Sequence, residues 1–299
     1  MIQEHLTQLL QLTKDQCDTY LKQYLKQQNN FSTRLQEACE YSLFAGGKRI
    51  RPALSFALAK DLGVENIDQI TPIGAALECI HTYSLIHDDL PAMDDDSLRR
   101  GQATCHIAFD EATAILAGDA LLNMAFEILS SSQWDLVPEK KIQIIAYISE
   151  KSGACGMVGG QMLDLLHENN PHLDQNTLEQ IHMGKTAALI NAALVAPAIV
   201  LNLDQKKQTL LSTVANQIGL AFQVADDILD VTQDSQTLGK NANSDLEQQK
   251  STYVSILGLE QAQNVMHTLL QSVLSNIKAL ELKHNNLECL SKFIIERKS

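Results

Sequence analysis

Two runs of paired aspartates recur in this 299-residue sequence: Asp88-Asp89 followed by Asp94, and Asp226-Asp227 followed by Asp230. In the second run Asp226 and Asp230 are four residues apart and so share a helix face, with Gln223 one turn earlier on the same side. The flanking Phe222, Val224, Ala225, Ile228, Leu229 and Val231 are apolar, which places these acids on a helix that is otherwise core. Two carboxylates ~4 Å apart repel by about 4 kcal/mol at an effective dielectric of roughly 20, so the cluster implies a bound cation. Oxygen donors with no His or Cys beside them suit Mg²⁺, which is held by one or two carboxylates plus substrate phosphates and water rather than in a closed protein cage.

The first run continues as Asp94-Asp95-Asp96 and ends in Arg99-Arg100-Gly101, so metal-binding acids and phosphate-binding guanidiniums are adjacent. Pro91 should end the preceding helix near Asp89 and leave the later acids and both arginines on a loop at the helix end. Gly46-Gly47-Lys48-Arg49-Ile50-Arg51-Pro52 sets three cations within four residues after a glycine turn, a composition suited to a diphosphate. Any one of these segments also fits a solvated surface patch; their repetition on apolar helices favours a site. His87-Asp88 could open an HD-type phosphohydrolase motif, but the other histidines supply no matching ligand set.

The elements that must position these residues are helices. Aliphatic residues and Ala dominate the apolar content, aromatics are few, and alternating Val, Ile and Thr runs are hard to find. Helical periodicity breaks at Gly46-Gly47, around Gly63, over residues 90–102, near 135–138, at 169–171 and over 232–251, giving roughly ten helices. No linker or composition shift divides the chain, so one all-α domain over residues 1–299 is expected. A net charge of −13 disfavours nucleic acid as a partner. The six cysteines form no C-x-x-C pair and no apolar leader is apparent, which fits free thiols in a cytoplasm. The uncharged run 186–203 contains Asn191, Asn202 and Pro197, and is expected to be a buried helix broken or kinked near Pro197 rather than a stable membrane insertion.

With these motifs in this order, the chain resembles the short-chain trans-isoprenyl diphosphate synthase family, in its bacterial branch that makes farnesyl diphosphate. The resemblance runs nearly end to end. Its most specific parts are Gly47 to Pro52 with its cations, residues 78–101, Gly159-Gly160-Gln161 with Asp164, Lys185-Thr186, and Phe222-Gln223 leading into Asp226, Asp227 and Asp230.

The resemblance implies an all-α isoprenoid synthase bundle around a central cavity, working as a homodimer. It implies that Asp88, Asp89, Asp94, Asp226, Asp227 and Asp230 hold Mg²⁺, three ions in the family, bridging to an allylic diphosphate that Arg99, Lys185 and Lys240 contact. Isopentenyl diphosphate would bind at Gly47, Lys48, Arg51, His81 and Arg100, with Gly47 allowing close backbone approach. Lys185, Thr186 and Gln223 would be catalytic, Thr186 and Gln223 facing the allylic cation, and Gln161 would contact substrate. The implied reaction condenses isopentenyl diphosphate with dimethylallyl and geranyl diphosphate, and the loop after Asp230 would close over it.

Tyr83, five residues before Asp88, would act as the floor that stops the product at fifteen carbons. Ten- or twenty-carbon products are the alternatives within the class, and a non-catalytic partner subunit is the alternative outside it. A terpene cyclase would carry a different second metal motif. Three departures from the family pattern stand out: Ala187 where Gly is usual, adding a methyl near the hydrocarbon channel, and Asn243 and Ser244 in the lid where a Gly-Lys pair is usual.

Overall fold

The computed structural model describes residues 2–28, 32–168, 170, 173–233 and 251–297. The described residues form two compact units, Met1–Ala59 with Val64–Ile145, and Lys60–Gly63 with Ala146–Ser299. Both are helical. The described strands are one two-residue pair.

The first unit holds α1 (Ile2–Gln27), α2 (Thr33–Leu43), most of α3 (Ile50–Asp61), α4 (Thr71–Asp88), α5 (Cys105–Ala108), α6 (Glu111–Ser130) and the start of α7 (Pro138–Ser152). Its centre is α4, in which Ile73, Leu77, Ile80, Tyr83 and Ile86 are all buried. An apolar surface all round a helix is stable only inside a bundle, and α1, α2 and α6 pack around this one. Pro72 sits at its start, where the missing N–H leaves no hydrogen bond unmade. Its end at Asp88 agrees with the break expected from Pro91. Asp110 caps α6 by accepting from the Thr113 N–H at 2.7 Å.

The second unit holds the rest of α7, α8 (Met157–Leu166), α9 (Gln175–His182), a π-helical turn (Met183–Ala187), α10 (Ala188–Val200), α11 (Gln205–Thr232), α12 (Tyr253–Leu257), α13 (Leu259–Ala279) and α14 (Asn286–Ile295). Asp174 and Asp204 cap α9 and α11 through the Thr177 and Lys207 N–H groups. Asp61 caps α14, its carboxylate accepting from the Asn286 N–H at 2.9 Å and the Leu287 N–H at 2.8 Å.

The uncharged run near residues 186–203 is the buried helix expected of it: nearly every residue of α10 is inaccessible. Pro197 does not break it, because it lies within the last turn and the helix ends three residues later at Val200. A helix from Gln175 to Val200 is long and apolar enough to cross a membrane, but 78% of its most apolar window is buried inside the fold, as expected of a core helix.

Candidate active site

In the first unit the Gly-Lys-Arg segment is pinned by its middle cation. Arg49 is buried, with φ +49, and donates to Asp18 at 3.0 and 2.8 Å, to Glu78 at 3.0 Å and to the Leu43 carbonyl at 2.6 Å. Two carboxylates satisfy one guanidinium and hold the loop between α2 and α3, which leaves Lys48 exposed and Arg51 at the start of α3. Arg51 has a buried Nε with no hydrogen-bond partner, and burial lowers its pKa. His81 faces the same group of cations: burial first, then Arg51, Arg100, Arg99 and Arg49, pushes its pKa well below the ordinary value, so the imidazole is neutral near pH 7.

The paired arginines ride on a hairpin that sequence periodicity did not reveal. Strands β1 (Leu98–Arg99) and β2 (Gln102–Ala103) pair antiparallel, joined by Arg100 at φ +54 and Gly101 at φ +77. Two consecutive left-handed residues make the primed turn that matches strand twist. The hairpin directs its two arginines to different partners. Arg99 Nε donates to Asp89 Oδ1 at 2.6 Å, and its terminal nitrogen reaches Asp96 at 3.3 Å. Arg100 donates to the Gly46 carbonyl and fills the space beside Gly47, where a Cβ would lie 2.7 Å from its guanidinium. Gly47, at φ +123, does permit a close approach, and what approaches it is Arg100.

Asp88 and Asp94 are half-buried, and the Asp94 N–H donates to the Asp88 carbonyl at 2.9 Å, folding the loop back over the end of α4. His87 turns to α6, where its Nε2 lies 3.0 Å from the Ile115 carbonyl and Gly118 makes room for the ring. Tyr83 is buried with its ring edge-on to His87 at 5.8 Å.

In the second unit one cleft of about 170 Å³ is lined by Asp164, His182, Lys185, Gln223, Asp226, Asp227, Ser251 and Thr252, among others. Backbone contact builds it. A Cβ on Gly160 would lie 2.0 Å from the Lys185 nitrogen, so α8 and the π-helical turn touch main chain to main chain. π-Helical turns insert a residue into the helical register and recur at functional sites. Here the turn carries Lys185 and Thr186. Lys185 Nζ donates to Asp164 Oδ2 at 2.6 Å, and Thr186 Oγ1 donates to Gln223 Oε1 at 2.8 Å. Gln161 lies half-buried on the same α8, one turn before Asp164.

Asp226 is half-buried, whereas Asp227 and Asp230 are buried. The Tyr253 N–H, at the start of α12, donates to Asp227 Oδ2 at 2.7 Å and fixes that carboxylate. A wider groove of about 520 Å³ beside α13 and α14 contains none of the residues singled out in the sequence. Lys240, Asn243 and Ser244 lie outside the described residues.

The donor chemistry of both acid motifs fits a hard divalent cation, since their aspartates offer carboxylate oxygens. Among the described residues no three acids, histidines or cysteines gather closely enough to hold a metal alone.

Ala187 is fully buried with its Cβ against Gly219 of α11, so its methyl fills a helix–helix contact.

The all-α chain thus carries two aspartate motifs, one beside a Lys-Thr turn and one beside paired arginines. Residues 32–288 match the polyprenyl synthetase family model, and the chain belongs to that family. It is 46% identical over 297 residues to the farnesyl diphosphate synthase of Micrococcus luteus, covering 99% of both chains. The geranyltransferase of Legionella pneumophila superposes with a TM-score of 0.87 at 34% identity, covering 99% of this chain and 98% of the other. A geranyltransferase of Helicobacter pylori complexed with magnesium and isoprenyl diphosphate superposes with a TM-score of 0.78 at 34% identity over 96% of each.

Proposed function

We propose that this chain is a Mg²⁺-dependent prenyltransferase that condenses isopentenyl diphosphate with dimethylallyl and then geranyl diphosphate to give farnesyl diphosphate and inorganic diphosphate. The observation that carries this reading is the cleft in which Lys185, Gln223, Asp226 and Asp227 converge, beside Thr186 and Asp230. In the reaction the allylic carbon–oxygen bond breaks heterolytically, its electron pair leaving with diphosphate. The isopentenyl double bond attacks the resulting cation, and loss of a proton to the departing diphosphate restores an alkene.

Bound at Asp88, Asp89 and Asp94 and at Asp226, Asp227 and Asp230, magnesium would supply positive charge against the leaving group, three ions being the complement this reading carries. The chain's own part is positioning and electrostatics. Lys185 and Arg99 present fixed cations to the allylic diphosphate, with Asp164 and Asp89 holding them in place. The Thr186–Gln223 pair offers oxygen atoms that stabilise a cation without reacting with it. Lys48, Arg51 and Arg100 bind isopentenyl diphosphate next to Gly47, and the neutral His81 donates a hydrogen bond without adding charge. Gln161 contacts substrate from α8, Lys240 completes the diphosphate contacts, and Tyr83 limits product length.

Further parts of the reading are that residues 1–299 act as one catalytic domain, that two copies form a homodimer, and that the protein works in the cytoplasm. Four buried cysteines, all free, and the burial of the apolar α10 support the last of these. The exposed Ile115 and Leu116 on α6 support the homodimer.

The test is to incubate the purified protein with isopentenyl diphosphate and dimethylallyl, geranyl or farnesyl diphosphate, with Mg²⁺ or a chelator, and to size the products by mass after phosphatase treatment. Magnesium-dependent fifteen-carbon product from the two shorter primers is expected. Twenty-carbon product would move the chain-length assignment, and no condensation by folded protein would favour a non-catalytic partner subunit.

A further inference from the structure

Arg297, near the C-terminus, has no part in the roles assigned so far. Its guanidinium carbon lies 4.0 Å from the centre of the Phe222 ring, and one terminal nitrogen makes an ion contact with Asp226 Oδ1. Phe222 and Asp226 are four residues apart on α11, so stacking and ion pairing form a single docking place on one helix face. The tail that delivers Arg297 follows directly from α14, whose start Asp61 holds. The Arg297 side chain is 17% exposed and that of Asp226 38%.

This hold is of a displaceable kind. Arg297 Nε is buried without a hydrogen-bond partner, and the nitrogen facing Asp226 lacks hydrogen-bond geometry. The guanidinium is therefore held by charge and ring contact, without the aligned fork that makes Arg–carboxylate pairs strong. Arg99 differs, since its Nε makes an aligned 2.6 Å bond to Asp89 in the first motif.

We propose that Arg297 competes with the divalent cation for Asp226, so that loading the second acid motif with metal displaces the C-terminal guanidinium from α11. The inference rests on the metal reading given above. A cation that dehydrates reluctantly needs the full charge of its carboxylate, and Asp226 offers that charge only after Arg297 withdraws. The tail thereby lowers the motif's apparent metal affinity and couples metal loading to release of the chain end.

The test titrates Mn²⁺ into the full-length protein and reads the free ion by electron paramagnetic resonance. Wild type, Arg297→Gln, Arg297→Lys and Asp226→Asn are compared without substrate, all checked for folding by circular dichroism. Arg297→Gln is expected to bind Mn²⁺ about two- to fivefold more tightly than wild type, the range for release of a partly exposed ion pair, and Arg297→Lys to fall between the two. Unchanged or weaker binding in Arg297→Gln, with Asp226→Asn binding less metal than wild type, overturns the inference and leaves the metal reading standing. If Asp226→Asn binds Mn²⁺ as wild type does, the metal reading fails and the inference with it.

Discussion

His182 is a buried imidazole whose Nε2 finds no hydrogen-bond partner and whose ring stacks on Tyr253 at 5.8 Å. Burial pushes its pKa down to about 4, with Asp164 and Lys185 adding opposed smaller effects. As the pH falls from the ordinary value of about 6.5, the unfolded chain takes up a proton that the folded chain refuses, so stability present above that pH is lost toward pH 4. Between pH 7.5 and pH 5 this one group should remove about 2 kcal/mol of stability. Urea unfolding at the two pH values should therefore show a difference that shrinks by that amount in His182→Phe, which keeps the stacked ring. An undiminished difference would assign the slope to His81 and the carboxylates instead. At this scale the acid motifs were legible because their carboxylates are written in consecutive residues, whereas Lys185 and Thr186 were expected only from the family resemblance. Arg49 was legible as a cation but not as the buried member of a triad, because Asp18 and Glu78 are distant in sequence. Arg297 gave no signal, since the residues that give it meaning lie some seventy positions earlier.

At the scale of elements, hydrophobic period and proline placement gave the helices and most of their breaks. The two features that escaped were short: the four residues of strand around Arg100-Gly101, and the π-helical turn at Lys185. Neither has room for a period, and both are set by contacts that sequence does not display, such as the meeting of Gly160 with the Lys185 backbone. The π-helical turn also explains a tight pairing with α11. A Cβ built on Gly219 would lie 2.4 Å from the Ala187 Cβ, closer than side chains can approach. Gly219→Ala should therefore destabilise the protein by about 1–3 kcal/mol, the usual range for overpacking a filled contact. Adding Ala187→Gly should recover much of that loss by vacating the same space. A thermal-melting cycle on the two single variants and the double variant measures the coupling, and strictly additive effects would show that the two residues do not share the contact.

For the whole molecule, composition gave the helical class and an acidic surface, whereas its assembly is a property of exposed faces that helical periodicity alone does not assign. The exposed face of α6 bears on it. Ala114, Ala117 and Leu121 of that helix are buried, but Ile115 is 44% and Leu116 57% exposed. Two large adjacent aliphatic side chains on a helix that already meets the core with its other face are better covered than hydrated. A second copy of the same surface offers matching apolar area, as an isologous interface requires. With a net charge of −13 on each chain, two copies repel at long range, so a homodimer of this chain would need an apolar contact where the copies meet. Substituting Ile115→Asp and Leu116→Asp together places two like charges at such a contact without touching the buried face of α6 or the Ile115 carbonyl that meets His87. Sedimentation velocity should show the parent chain as a dimer and the double variant as a monomer with unchanged helical circular dichroism. A variant that stays dimeric would move the interface off α6, and a monomeric parent would remove the homodimer from the reading altogether.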